Sequence, residues 1–122
     1  MEELKLPDLE PDFEAEIEIL TFEQGGRRSP PLNGIRWDLK YKEDNFGDGI
    51  HSIWPFFIDD ENNLVPGTEP LSGKLRAWMY VMLDEMRDYH RNRMKIGQEF
   101  TCQEGSKSVA KGVVTRLIRL AE

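Results

Sequence analysis

The sequence predicts an all-β domain, and three stretches carry that expectation. In residues 13–19 the apolar Phe13, Ala15, Ile17 and Ile19 alternate with Glu14, Glu16 and Glu18. Strand side chains point to opposite faces with period two, so this is a half-buried antiparallel strand with one wet face. Residues 35–41 repeat the pattern, with Ile35, Trp37, Leu39 and Tyr41 set against Arg36, Asp38 and Lys40. Residues 98–103 and 108–120 flank Glu104-Gly105-Ser106-Lys107, a tight turn that makes the two runs a hairpin.

The remaining elements follow in chain order. Residues 1–11 are acidic and hold Pro7 and Pro11. They read as an extended arm that leads into the first strand or lies along a neighbour. The first strand is expected over 13–22, followed by a long, shaped loop. In that loop Gly25-Gly26 opens backbone dihedrals closed to other residues, and Pro30-Pro31 cannot donate ladder hydrogen bonds. Asn33-Gly34 is a turn signal before the 35–41 strand. Residues 42–49 are turn-rich, with Asp44-Asn45 and Gly47-Asp48-Gly49. Residues 50–58 hold Ile50, Ile53, Trp54, Phe56, Phe57 and Ile58, a buried strand in which Pro55 marks an edge or a bulge. A polar turn covers 59–63, and 68–73 is loop. Residues 75–94 are ambiguous: Leu75, Trp78, Met79, Met82, Leu83, Met86, Tyr89 and His90 have helical spacing, yet Leu75, Ala77, Met79, Val81 and Leu83 also alternate. Gly112 inside the last strand suggests a bulge or a barrel corner.

Composition sets the class. The 122 residues make one domain with enough chain for a core without staples. Hydrophobic residues at 39% and charged residues at 32% suit a folded domain and argue against disorder. A net charge of −7 makes the chain a poor non-specific ligand of phosphate backbones, while leaving it able to meet a basic protein surface. Cys102 is the single cysteine, so no intrachain disulfide forms, as in a reducing compartment. The Met1 end carries Glu2, Glu3 and Lys5 without an apolar run, and no stretch approaches eighteen apolar residues. A cytoplasmic protein with no membrane partner is expected.

The chemistry-bearing residues are sparse. His51, His90 and Cys102 have no further ligand at motif spacing, so no metal site is expected. Cys102 falls in a strand and is expected to be buried and inert. No phosphate loop of the Gly-x-x-x-x-Gly-Lys type occurs, so no nucleotide and no cofactor is expected. The carboxylates of the first strand and of Asp59-Asp60 read as solvating charges, and no nucleophile–base pair supports an enzyme. Of Trp37, Tyr41, Trp54, Phe56 and Phe57 most must be core, but a small domain cannot bury every aromatic, so a surface patch among them is a rival binding location.

Two blocks of the sequence resemble a known family. Phe-Glu-Ala-Glu-Ile-Glu-Ile-Leu from Phe13, Glu-Gln-Gly-Gly-Arg from Glu23, and Asn-Gly-Ile-Arg from Asn33 resemble the start of the third domain of elongation factor Tu. The run from Ile96 to Ile118 resembles the end of that domain, and Leu64-Val65-Pro66-Gly67 resembles the Val-Met-Pro-Gly that precedes one of its strands. The two blocks span roughly half the chain in the family's order. The resemblance implies a small antiparallel β-barrel of about six strands over residues 12–122. It places a strand at 74–83, then an enlarged loop near 84–95 with a helical turn over 84–93. It also implies that the GTPase domain and second barrel of the family are missing, so GTP is neither bound nor hydrolysed.

The family's tRNA-facing positions fall on Arg27, Glu104 and Gly105. The closing turn departs from the family, with Ser106-Lys107 in place of Gly-Arg. Arg36 keeps the family's arginine between changed neighbours. The functional expectation is a non-enzymatic, translation-related module of the bacterial cytoplasm that binds a protein partner: a partner of the factor, or a toxin that targets it. The alternative is an RNA- or tRNA-binding module using Arg27, Arg36, Lys107 and the basic Arg87, Arg91, Arg93 and Lys95. Both place the site at one end of the barrel, where the 25–31 loop meets the Glu104–Lys107 turn.

Overall fold

The structure is a computed structural model that describes residues 4–45, 47 and 49–121. Residues 1–3 of the expected arm, residues 46 and 48 of the turn-rich stretch, and residue 122 lie outside the described residues. Six strands close into an antiparallel barrel: β1 (Phe13–Ile19), β2 (Trp37–Tyr41), β3 (His51–Ile58), β4 (Lys74–Val81), β5 (Glu99–Glu104) and β6 (Lys107–Leu117). Their order around the barrel is β1-β4-β3-β2-β5-β6. The fold is all-β, as the alternation predicts, and its closed barrel of six strands is the architecture expected above.

In β1, Phe13, Ala15, Ile17 and Ile19 face the core while the glutamates point outward. The strand stops at Ile19, short of the expected 22. A local competitor ends it. Thr21 caps a 3-10 turn, Phe22–Gln24: its hydroxyl accepts the Gln24 N–H at 3.2 Å, and the Gln24 side-chain oxygen accepts the Thr21 N–H at 2.9 Å. Gly25 closes the turn at φ 93°, a conformation that side chains disfavour.

The ambiguous segment divides as the alternation and the family pattern suggest. β4 runs to Val81 because it has two ladder partners, β1 and β3. Helical spacing cannot compete with pairing on both edges. A 3-10 turn, Asp84–Met86, then leads into a short helix, α1 (Arg87–Arg93).

β3 is apolar from Ile53 to Ile58 because both its faces are covered there. Ile53 and Phe57 join the barrel core. Phe56 and Ile58 alternate to the outside, yet both are buried. On this outer side Phe56 packs edge-on to Tyr80, and the Tyr80 hydroxyl donates to the Leu9 carbonyl at 3.1 Å. Leu4 sits against Gly34 and Gly67, so the arm lies along the outer face of the barrel. β2 pairs with β3 only as far as Ile53, and Pro55 lies beyond that ladder, at a local edge. The Asn33 amide covers this edge like a one-residue strand. It accepts the Phe57 N–H at 2.8 Å and donates to the carbonyls of Phe57 and Val65 at 2.9 and 2.8 Å.

Gly112 is not a bulge. The register shifts of β6 lie at Glu14/Ala15 in its pairing with β1 and at Cys102/Gln103 in its pairing with β5. Gly112 sits opposite Phe100, and a Cβ there would lie 2.3 Å from the ring. The glycine makes room for an aromatic inside the barrel. Gly112→Ala is expected to cost about 1–3 kcal/mol by overpacking, read as a lower denaturant midpoint. An unchanged midpoint would mean that the ring can move aside. Among the described residues no helix is long and apolar enough to cross a membrane.

Candidate functional site

The antiparallel order sorts the loops between two ends of the barrel. Residues 20–36, 59–73 and 105–106 emerge at one end, and residues 42–50 and 82–98 at the other. The first is the loop end on which the sequence places the site.

At the loop end, Arg27 reaches across to the closing hairpin. Its Nη1 donates to Glu104 Oε2 at 2.5 Å, and its Nε donates to the Ser29 carbonyl at 3.0 Å. The same Glu104 oxygen accepts the Trp37 indole N–H at 2.9 Å. One carboxylate thus ties the 25–31 loop, the start of β2 and the end of β5 together. The pair is 29% and 34% exposed, so it is partly desolvated and still reachable. Gly105 is at the hairpin tip with φ 59°, and Lys107 stands exposed opposite Glu104 in the ladder. Arg36 is set apart: its guanidinium lies 4.4 Å above the Trp54 ring, and the Trp54 indole donates to the Gly34 carbonyl at 3.0 Å. The structure therefore joins Arg27, Glu104, Gly105 and Lys107 and leaves Arg36 on the Trp54 side. Of the aromatic patch, Trp37, Tyr41, Phe56 and Phe57 are buried and Trp54 is half-buried, which removes most of that rival surface.

Beside the Arg27–Glu104 pair runs a groove of about 210 Å³ that sequence reading missed. Its apolar walls come from Ile19, Leu20, Phe22, Pro31, Leu71 and Val109. Backbone bonds hold those walls. Leu71 N–H donates to the Pro31 carbonyl at 2.9 Å, Ile19 N–H to Gly73 at 2.9 Å, and Leu20 N–H to Val109 at 3.0 Å. Phe22 remains 56% exposed, with the Arg28 guanidinium 5.2 Å from its ring centre. The single available signal was an aromatic set beside a double glycine.

At the opposite end the three arginines of the 84–95 segment are engaged in ion pairs, and Lys95 is exposed with no ion pair among the described residues. Arg87 pairs with Asp12 and Asp84, Arg91 with Asp88, and Arg93 with Glu43 and Asp44. Arg93 grips Asp44 with both Nη atoms, at 2.9 and 2.6 Å, and lies 3.9 Å over the Tyr41 ring. That hydrogen bonding holds the Asp44 carboxyl below its ordinary range. Below Arg93, Tyr41 and His90 share a 2.6 Å hydrogen bond between the phenol oxygen and Nδ1. The His51 ring sits edge-on to His90, 4.9 Å centre to centre, and among the described residues its buried Nε2 has no hydrogen-bond partner. Burial pushes His90 down to about 4 and His51 below its usual value, and it pushes the Tyr41 phenol well up. Tyr41 is wholly enclosed and His90 is 1% exposed, so no substrate reaches the pair. No three residues of the His, Cys, Asp or Glu types converge as metal ligands among the described residues. Cys102 is enclosed, and burial pushes its thiol far up. No protein-family model matches the chain.

Proposed function

We propose that this chain is a non-enzymatic protein-binding module of the bacterial cytoplasm, translation-related, resembling the third domain of elongation factor Tu, and that its loop end docks the partner. The observation that carries the reading is the Arg27–Glu104–Trp37 node. It fuses two loops into one fixed surface before any partner arrives, which lowers the ordering cost of binding. Among the described residues the Tyr41–His90 pair is enclosed and Cys102 is buried, which favours binding over catalysis. The ion pairing of Arg27, Arg87, Arg91 and Arg93 favours protein over RNA, because phosphate binding draws on cations free to displace counterions.

The test is affinity capture from native lysate, with bound protein and bound RNA both measured. A stoichiometric protein is expected. RNA that survives moderate salt would instead favour the tRNA-facing reading of Arg27, Glu104 and Gly105. Arg27→Ala with Lys107→Glu should weaken the captured protein by at least roughly 2 kcal/mol. Stability should fall by no more than about 1 kcal/mol, because the Arg27–Glu104 pair is partly solvated. Wild-type affinity in the double variant would move the site away from this end.

A further inference from the structure

The groove at the loop end has a charge character opposite to that of the chain. The sequence carries 23 acidic and 16 basic residues, yet the two charged residues lining the groove are both arginines, Arg27 and Arg28. They differ in availability. Arg27 is already neutralised by Glu104. Arg28 is exposed, and among the described residues it forms no ion pair; its guanidinium lies beside the Phe22 ring. A cation kept free in a chain with an excess of carboxylates is an open position for a carboxylate from outside.

The apolar part is equally open. Phe22 stands on a 3-10 turn locked by the Thr21–Gln24 capping box, so its exposure is built in by a fixed backbone. The groove floor is barrel core, through Ile19 and Val109. Closed ladders on both sides of β1 leave no free strand edge here, so a partner binds through side chains, not by adding a strand.

We propose that this groove takes an extended acidic segment of a protein partner, seating an apolar side chain against Phe22 and a carboxylate on Arg28. This rests on the protein-binding reading and names the chemistry of its partner. The acidic net charge of the chain then acts as a filter. It disfavours acidic partners over the surface as a whole while the arginine-lined groove accepts one, which biases orientation toward this site.

The test is a nitrogen-15 amide titration with a defined probe, the capped hexapeptide Asp-Glu-Leu-Phe-Asp-Glu. Three controls accompany it: the same peptide with lysine for each acid, the same peptide with alanine for Leu and Phe, and an oligouridine. The acidic peptide should shift the amides of Thr21, Phe22, Arg28, Ser72 and Gly73. It should bind at least about tenfold more tightly than either altered peptide, and Arg28→Glu or Phe22→Ala should each weaken it by a similar factor. Both side chains are exposed, so the variants are expected to fold. Equal binding of the lysine peptide, unmoved groove amides at millimolar acidic peptide, or oligouridine shifting those amides in its place would each overturn the proposal. If the captured protein still depends on Arg27 and Lys107 while the peptide leaves the groove untouched, the protein-binding reading stands and this inference alone falls.

Discussion

Arg87→Ala is expected to destabilise the fold by about 3–5 kcal/mol, the range for breaking a buried ion pair from one side. Asp12 is wholly enclosed where the arm enters β1. Its carboxylate accepts the Val81 N–H at 2.7 Å and the Arg87 Nε and Nη2 groups at 2.7 and 3.3 Å. Arg87 also donates to the Val81 carbonyl at 3.2 Å. Asp12 therefore joins β1 to β4, and Arg87 anchors α1 to both. Without the arginine, a buried charge keeps a single backbone donor, and its desolvation goes uncompensated. Denaturant unfolding reads the loss directly. The double variant Asp12→Asn, Arg87→Met should lose less than the sum of the single losses, because the second change removes the stranded charge. A loss under about 1 kcal/mol for Arg87→Ala would show that water reaches Asp12.

Acid should weaken the fold through His90. Its folded pKa is depressed to about 4, below an unfolded value near 6.5. The unfolded chain therefore binds a proton that the folded chain refuses. The stabilisation is complete above pH 6.5 and is lost as the pH falls toward 4, by about 3 kcal/mol in all. His51 is shifted in the same direction by burial and by Arg93 and adds to the loss. Asp44, lowered by Arg93, loses its own contribution as it protonates in more acid solution. Subtracting the His90→Leu curve isolates the histidine, since the carboxylates titrate in both proteins. The variant is less stable at neutral pH, because Tyr41 loses its partner, but its stability should fall less steeply between pH 6.5 and 4. Equal slopes would sink the assignment.

Much of the fold was readable where one face of an element is wet. Glu14, Glu16 and Glu18 betray β1 because only their side meets water, and Asp38 and Lys40 do the same for β2, which starts at Trp37, two residues later than expected. The 75–94 stretch was ambiguous because Met79 satisfies both periods; pairing with two neighbours decides it, and that pairing is non-local. Gly112 misled because a glycine facing a ring and a glycine at a bulge look alike in one dimension. The site was partly readable: the 25–31 loop and the hairpin turn were expected to meet. The bond that joins them links residues 77 apart, and nothing local marks Arg27 as paired to Glu104. The groove and the His51–His90 contact were invisible for the same reason, each being assembled from segments distant along the chain.

The strand order has a consequence for how the chain reaches this state. β1 is first in sequence, yet its ladder neighbours are β4 and β6, the fourth and the last strands. Local hairpins β3–β4 and β5–β6 can form early, but β1 has no partner until most of the chain is available. High contact order of this kind slows folding to roughly milliseconds or longer. During that interval the run Ile53–Ile58 is apolar on both faces and uncovered. The arm is attached directly to β1 and meets β4, where the Tyr80 hydroxyl donates to the Leu9 carbonyl and the Asp12 N–H to the Met79 carbonyl, so the step that closes the barrel also seats the arm beside the neighbour of this strand.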